Sequence, residues 1–137
     1  LVWQTLRSEP LVVLAPAVLQ ETDPHEILRN HPLIRYDRMQ WGGRLADEYL
    51  RKSGIWPHER LELDSLDAIA IIVSQGTGVS LVPDWARPWP AGVHLKKIPL
   101  PDPAPCRNLG FLVQRNSPRL SLFNRLLEIL QKPLTTS

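Results

Sequence analysis

The chain has 137 residues, about one domain's worth, with 16 Lys and Arg against 14 Asp and Glu. A net charge of +2 is too balanced for a nucleic-acid tail or a polybasic membrane arm, and 43% apolar with 22% charged residues supports a packed core over disorder. No apolar run approaches the ~20 residues of a membrane span, and a single cysteine, Cys106, excludes an internal disulfide and fits a reducing compartment.

The start, Leu1-Val2-Trp3, carries neither an initiator Met nor a signal-peptide pattern, and is read as a cut inside a longer protein. Leu11-Val12-Val13-Leu14-Ala15 is an apolar run without alternation, which suits a strand covered on both faces. Asp23-Pro24-His25-Glu26 reads as a helix start, with Asp as N-cap, Pro at the first helical position and Glu at the third. Leu33 to Tyr36 is a second strand. Gly42-Gly43 then precedes a helix from about Arg44 to Ser53, striped by Leu45, Ala46, Tyr49 and Leu50, with Gly54 as a left-handed cap.

Arg60 to Asp64 alternates charged and apolar residues, the pattern of a half-exposed edge strand. Asp64 or Ser65 caps the next helix, which ends at Gly76, and Val79 to Val82 is a short buried strand. Seven of the fourteen prolines lie between Pro83 and Pro105, marking one stiff, irregular connection. A strand near His94 to Ile98 interrupts it. Leu109 to Gln114 is a further strand, and Ser117-Pro118 starts a last helix. That helix is striped by Leu120, Phe123, Leu126, Leu127 and Leu130 and ended by Pro133. Alternating strands and helices predict an α/β fold with a mostly parallel sheet.

Catalytic signatures are missing from the sequence. His25, His31, His58 and His94 offer no i,i+4 pair, so no metal site is expected. Gly76-Thr77-Gly78 lacks the Lys-Ser/Thr of a phosphate loop and reads as a helix cap and tight turn. Cys106, beside Arg107, reads as a spare loop cysteine. No enzyme activity and no cofactor are expected.

Ligands of parallel α/β sheets sit beyond the carboxyl ends of the strands, where helix N-termini gather. Here Tyr36 leads through Asp37-Arg38-Met39-Gln40-Trp41 into Gly42-Gly43. The loop offers a cation, an amide, an aromatic wall and close backbone approach, as a pocket rim for a small molecule would. It equally suits a connector with a core-packed Trp and a solvated Arg. Ser65 is a second rim candidate and otherwise only a cap. The helix from Leu66 to Gln75 has one stripe of Leu66, Ile69, Ala70 and Val73, and a second apolar face of Ala68, Ile71 and Ile72. Such a helix is either central or meets another chain. The edge-like strand before it favours a partner chain.

Several segments together resemble the C-terminal effector-binding domain of the LysR-type transcriptional regulators. They are Glu9 to Pro16, His31 to Tyr36, Asp64 to Val73, Gly76-Thr77-Gly78-Val79-Ser80-Leu81-Val82-Pro83, and Leu109 to Val113 with Ser117-Pro118 and Leu126. The Gly76 to Pro83 segment is the most specific, and the resemblance covers nearly the whole chain. It implies a type 2 periplasmic-binding-protein-like lobe: residues 1–13 a remnant of a first lobe and crossover, 14–108 the second lobe, and 109–137 the returning strand and the helix that docks on the first lobe. Leu11 to Ala15 and Leu109 to Gln114 would carry the crossovers.

The resemblance further implies a small effector held between two lobes. Arg38 would pair its carboxylate or phosphate, Trp41 would wall it, and Gly42 with the following N–H groups would accept an anion; Met39, Gln40 and Ser65 complete the expected site. Ala68, Ile71 and Ile72 would join a homodimer or tetramer. DNA would be bound only through an N-terminal helix-turn-helix outside this chain, in the cytoplasm and away from membranes. The alternative on the same fold is a solute-binding protein of a transport system. Without its first lobe, the chain is expected to dimerise, swap elements or fray at its C-terminus.

Overall fold

The structure is a computed structural model describing residues 2–85, 89–114 and 119–130. Strand β1 (Val2–Pro16) is followed by α1 (Pro24–Asn30), β2 (Leu33–Tyr36), α2 (Trp41–Lys52), β3 (Glu59–Leu63), α3 (Leu66–Ser74), β4 (Ser80–Pro83), β5 (Leu95–Pro99), β6 (Cys106–Val113) and α4 (Leu120–Leu130).

The lower half of β1 is the spine. Leu11 to Leu14 pair antiparallel with β4 on one side, and Val12 to Pro16 with β5 on the other. β4 meets β2 through the parallel bridge Leu33–Val79, and β2 pairs parallel with β3. The spatial order is therefore β3-β2-β4-β1-β5. The sheet is mixed, and the expected parallel character holds only across β3, β2 and β4, because β1 runs against all its neighbours.

Period-two alternation divides β1 between two cores. Leu11, Val13 and Ala15 point to the face carrying α1 and α2, where Ile27, Leu28, Ala46 and Leu50 are buried. Val12 and Leu14 point to the face carrying α3, with Ile69, Ala70 and Val73. The unbroken apolar run in the sequence is thus a strand covered on both sides.

The local helix signals hold. The Asp23 side chain accepts from the N–H groups of His25 and Glu26, with Pro24 in the first turn. Of the two candidate caps for α3, Ser65 is the one used: its Oγ accepts from Ala68 N–H at 3.2 Å. Gly54 and Gly76 take the left-handed backbone that ends α2 and α3, at φ 66° and 81°.

Helix α2 departs from expectation. It starts at Trp41, so Gly42 and Gly43 lie in its first turn and do not precede it. A Cβ on Gly42 would stand 2.5 Å from the Pro83 ring, and one on Gly43 would stand 1.9 Å from the Asp37 carbonyl oxygen. The glycines are there for close packing under β4 and the loop, not to loosen a linker. Strand β3 also differs: only Leu63 is partly buried, and the remainder of the strand, Leu61 included, is exposed.

The upper half of β1 leaves the lobe as a ribbon. Val2 to Pro10 pair antiparallel with Val113 to Cys106, with a bulge between Thr5 and Arg7. Leu109 to Val113 therefore lie opposite residues 2–7, and not opposite Leu11 to Ala15. Glu9 stands opposite Arg107. Its carboxylate, 2% exposed, accepts from Arg107 Nε at 2.9 Å and Nη2 at 2.6 Å, while Arg7 Nε approaches at 3.4 Å.

On α4 the side chains of Leu122, Leu126 and Ile129 are exposed. The expected helix start at Ser117-Pro118 and its end at Pro133 lie outside the described residues, as do the side chains of Leu120, Phe123, Leu127 and Leu130.

Candidate functional site

Because β2, β3 and β4 are parallel, Tyr36, Leu63 and Pro83 end at one edge of the sheet. Leu11, where the ribbon begins, pairs with Pro83 at the same edge. The N-termini of α2 and α3 open there too, each presenting first-turn N–H groups without intrahelical partners.

The loop after β2 is tied to β3. Asp37 N–H donates to the Leu63 carbonyl at 2.9 Å, and Gln40 N–H to the Asp37 carbonyl at 2.9 Å. Asp37 Oδ1 accepts from Met39 N–H at 2.8 Å, making a local turn. These bonds frame an open cavity of about 620 Å³ lined by Asp37, Arg38, Met39, Glu62, Leu63 and Asp64.

Of the expected effector residues, Arg38 and Met39 line this cavity, and Gln40, Trp41, Gly42 and Ser65 do not. Gln40 is the N-cap of α2 but makes no side-chain cap bond, so that helix end is left to backbone and solvent. Trp41 is 57% exposed and holds Arg44 over its ring at 5.9 Å. It is a free aromatic surface, not a core-packed side chain. Gly42 is buried against Pro83 and Tyr36, and Ser65 is occupied in capping α3.

Glu62 was not among the residues expected at the site. Its Oε1 accepts from Arg38 backbone N–H at 3.0 Å, and its Oε2 pairs with Arg38 Nη2 at 3.2 Å. The alternation of β3 suggested only a half-exposed edge strand, and no short-range signal links positions 24 residues apart. The Arg38 backbone N–H and then its guanidinium hold the Glu62 carboxyl below the usual carboxylate range. In return, the hydrogen bond to Glu62 raises the Arg38 pKa.

A depressed carboxyl contributes stability above its unfolded pKa and loses that contribution as pH falls through the folded value. Glu62 should thus stay ionised, and the loop tied, well into acid. Carboxyl-carbon NMR of Glu62 is expected to show a titration midpoint below that of a free Glu. In Arg38→Ala the midpoint should move only part of the way back, because the backbone donor remains. An unchanged midpoint in that variant would show that the guanidinium has no hold on Glu62.

A second set of ions anchors β2 and β3 to α2. Arg35, buried on β2, donates to Glu59 at 2.7 Å and to Asp47 at 3.1 Å, and Asp47 also pairs with Arg51. Among the described residues no group of three or more His, Cys, Asp or Glu is placed to hold a metal, and no helix is long and apolar enough to cross a membrane.

On α3, the two-faced helix, Ile71 is exposed and Ala68 half-buried. Ile72 packs partly on the second core.

A family model described as LysR substrate binding domain matches residues 1–134. Among solved structures, the chain is similar to the regulatory domain of Synechocystis CcmR in complex with 2-PG: identity is 21%, the TM-score 0.72, and coverage 98% of this chain and 69% of that one. For HinK, a LysR family transcriptional regulator from Pseudomonas aeruginosa, identity is 19%, the TM-score 0.72, and coverage 96% and 49%. For an OxyR mutant from Corynebacterium glutamicum, identity is 21%, the TM-score 0.65, and coverage 96% and 43%. The chain thus spans about half the length of the latter two proteins. No curated protein sequence matches it significantly. These structures share its periplasmic-binding-protein-like α/β fold, and the model match over nearly the full length shows that the chain belongs to the LysR substrate binding domain family.

Proposed function

We propose that this chain is part of the ligand-sensing domain of a LysR-type transcriptional regulator, which grips a small acidic effector between two lobes and does no chemistry on it. Residues 14–108, with the stretch Leu11–Val13 that pairs with β4 and β5, form one lobe, and residues 1–10 and 109–137 go with the other. The effector favours one relative orientation of the lobes, and shifts that equilibrium only by its difference in affinity for the two. The change passes through a dimer or tetramer, built on α3 with Ala68, Ile71 and Ile72, to DNA-binding domains elsewhere in a cytoplasmic protein.

The observation that carries this proposal is the family match, taken with one feature of the fold. The strand ends, the Arg38 cavity and the root of the ribbon share one edge of the sheet.

The experiment is a thermal-shift screen of organic acids, 2-PG among them, on the regulator that contains this chain. An acid at a hundred times its Kd should stabilise the protein by about 2.7 kcal/mol. Arg38→Ala should weaken that acid's binding by roughly tenfold or more, the scale of a lost charged hydrogen bond. If no acid stabilises the protein, or if Arg38→Ala leaves calorimetric binding of every acid unchanged, the assignment is withdrawn.

A further inference from the structure

An acidic effector needs a cation, and the one cation lining the cavity among the described residues is already engaged: Arg38 gives both its backbone N–H and Nη2 to Glu62. Resting on Arg38 as the effector-facing group, we propose that Glu62 is a built-in competitor, a carboxylate that occupies Arg38 until the effector's own acid displaces it. Three features support this.

The first is geometry. Glu62 imitates the ligand, since a carboxylate set across a guanidinium and a backbone N–H makes the contacts an effector carboxylate would make. The second is exposure. The two side chains are 45% and 34% exposed, and an ion pair in such a setting is weak enough to exchange for a better one. The third is place. Glu62 belongs to β3, the open outer strand of the sheet, whereas Arg38 belongs to the loop after β2. When an acid takes Arg38, the side-chain tie between loop and strand is released, and a carboxylate is freed on the outer strand. Capture of ligand and a change at the sheet's edge become one event.

The cavity also holds Asp37 and Asp64. Asp37 is engaged with Met39 N–H. Asp64 provides a control, because it contributes a negative charge to the same cavity without hydrogen-bonding Arg38 in the structure.

The test is titration with sulfate, whose charge is constant near neutral pH, followed by amide NMR of the chain and its Glu62→Gln, Asp64→Asn and Arg38→Ala variants. Glu62→Gln should bind sulfate about three- to fivefold more tightly than the parent, the scale of an exposed ion pair removed. Asp64→Asn should stay within about twofold. Combining Arg38→Ala with Glu62→Gln should abolish the gain. An equal gain in Asp64→Asn would reduce the effect to general charge and overturn the competitor. Should Arg38→Ala weaken binding while Glu62→Gln changes nothing, the competitor falls but Arg38 keeps its effector role. If neither variant alters sulfate binding, Arg38 is not the anion's partner, and both proposals fail.

Discussion

Replacing Glu9 by alanine should cost about 3 kcal/mol or more, the price of stranding a buried partner charge. Glu9 is buried on β1 opposite Arg107 of β6, and one of its oxygens takes two bonds from Arg107. Removing it leaves two guanidinium groups facing each other: Arg107, and Arg7, whose buried Nε already lacks a hydrogen-bond partner. Arg107→Ala should cost a similar amount, because it leaves the more deeply buried member with Arg7 alone, at 3.4 Å. Replacing both by leucine should recover most of the loss, since well-packed apolar residues are often as stable as the ion pair they replace. Urea denaturation of the two single variants and the double provides the measurement. Single variants within about 1 kcal/mol of the parent would mean that water reaches the pair and screens it.

Gly43→Ala should be as severe for a different reason. The added methyl would meet the Asp37 carbonyl oxygen at 1.9 Å, and that oxygen belongs to backbone, so no rotamer relieves the clash. Either α2 moves off the sheet or the Asp37–Gln40 loop is pushed out. Overpacking of this kind costs roughly 3 kcal/mol at the upper end of its usual range. Gly54→Ala is the informative comparison. Its backbone is left-handed at φ 66° but nothing stands within 4 Å, so only the conformational cost of about 1–2 kcal/mol applies. Thermal or urea melts showing equal losses at the two positions would remove the close-approach explanation. Because Asp37 begins the loop that carries Arg38, Gly43→Ala should also disturb the Arg38–Glu62 contact, visible as a change in the Glu62 titration.

What could be read in the sequence were features whose cause lies within a few residues. Asp23-Pro24 and Ser65 mark helix starts because their side chains act on N–H groups two or three positions on. The run Leu11 to Ala15 revealed a doubly covered strand because burial on both faces removes alternation. Gly42-Gly43 was read as the lead-in to a helix, since the sequence gives no sign of Pro83 or the folded-back Asp37 carbonyl that make those glycines necessary. The direction of β1 against β4, β5 and β6 was hidden for a similar reason: strand order follows from packing over long separations, not from local pattern. The same holds for the candidate site. The loop holding Arg38 could be picked out by residue type and place, whereas its pairing with Glu62 depends on the β2–β3 register.

The double role of β1 has a mechanical consequence. From Leu11 to Leu14 it is an interior strand, bonded to β4 on one side and β5 on the other, and the same strand continues upward into the ribbon. A torque applied to the ribbon is therefore delivered to a strand bonded on both sides and not to the rim of the sheet. The lobe should turn as a unit, with Arg38 and Glu62 carried along and the cores on both faces unsheared.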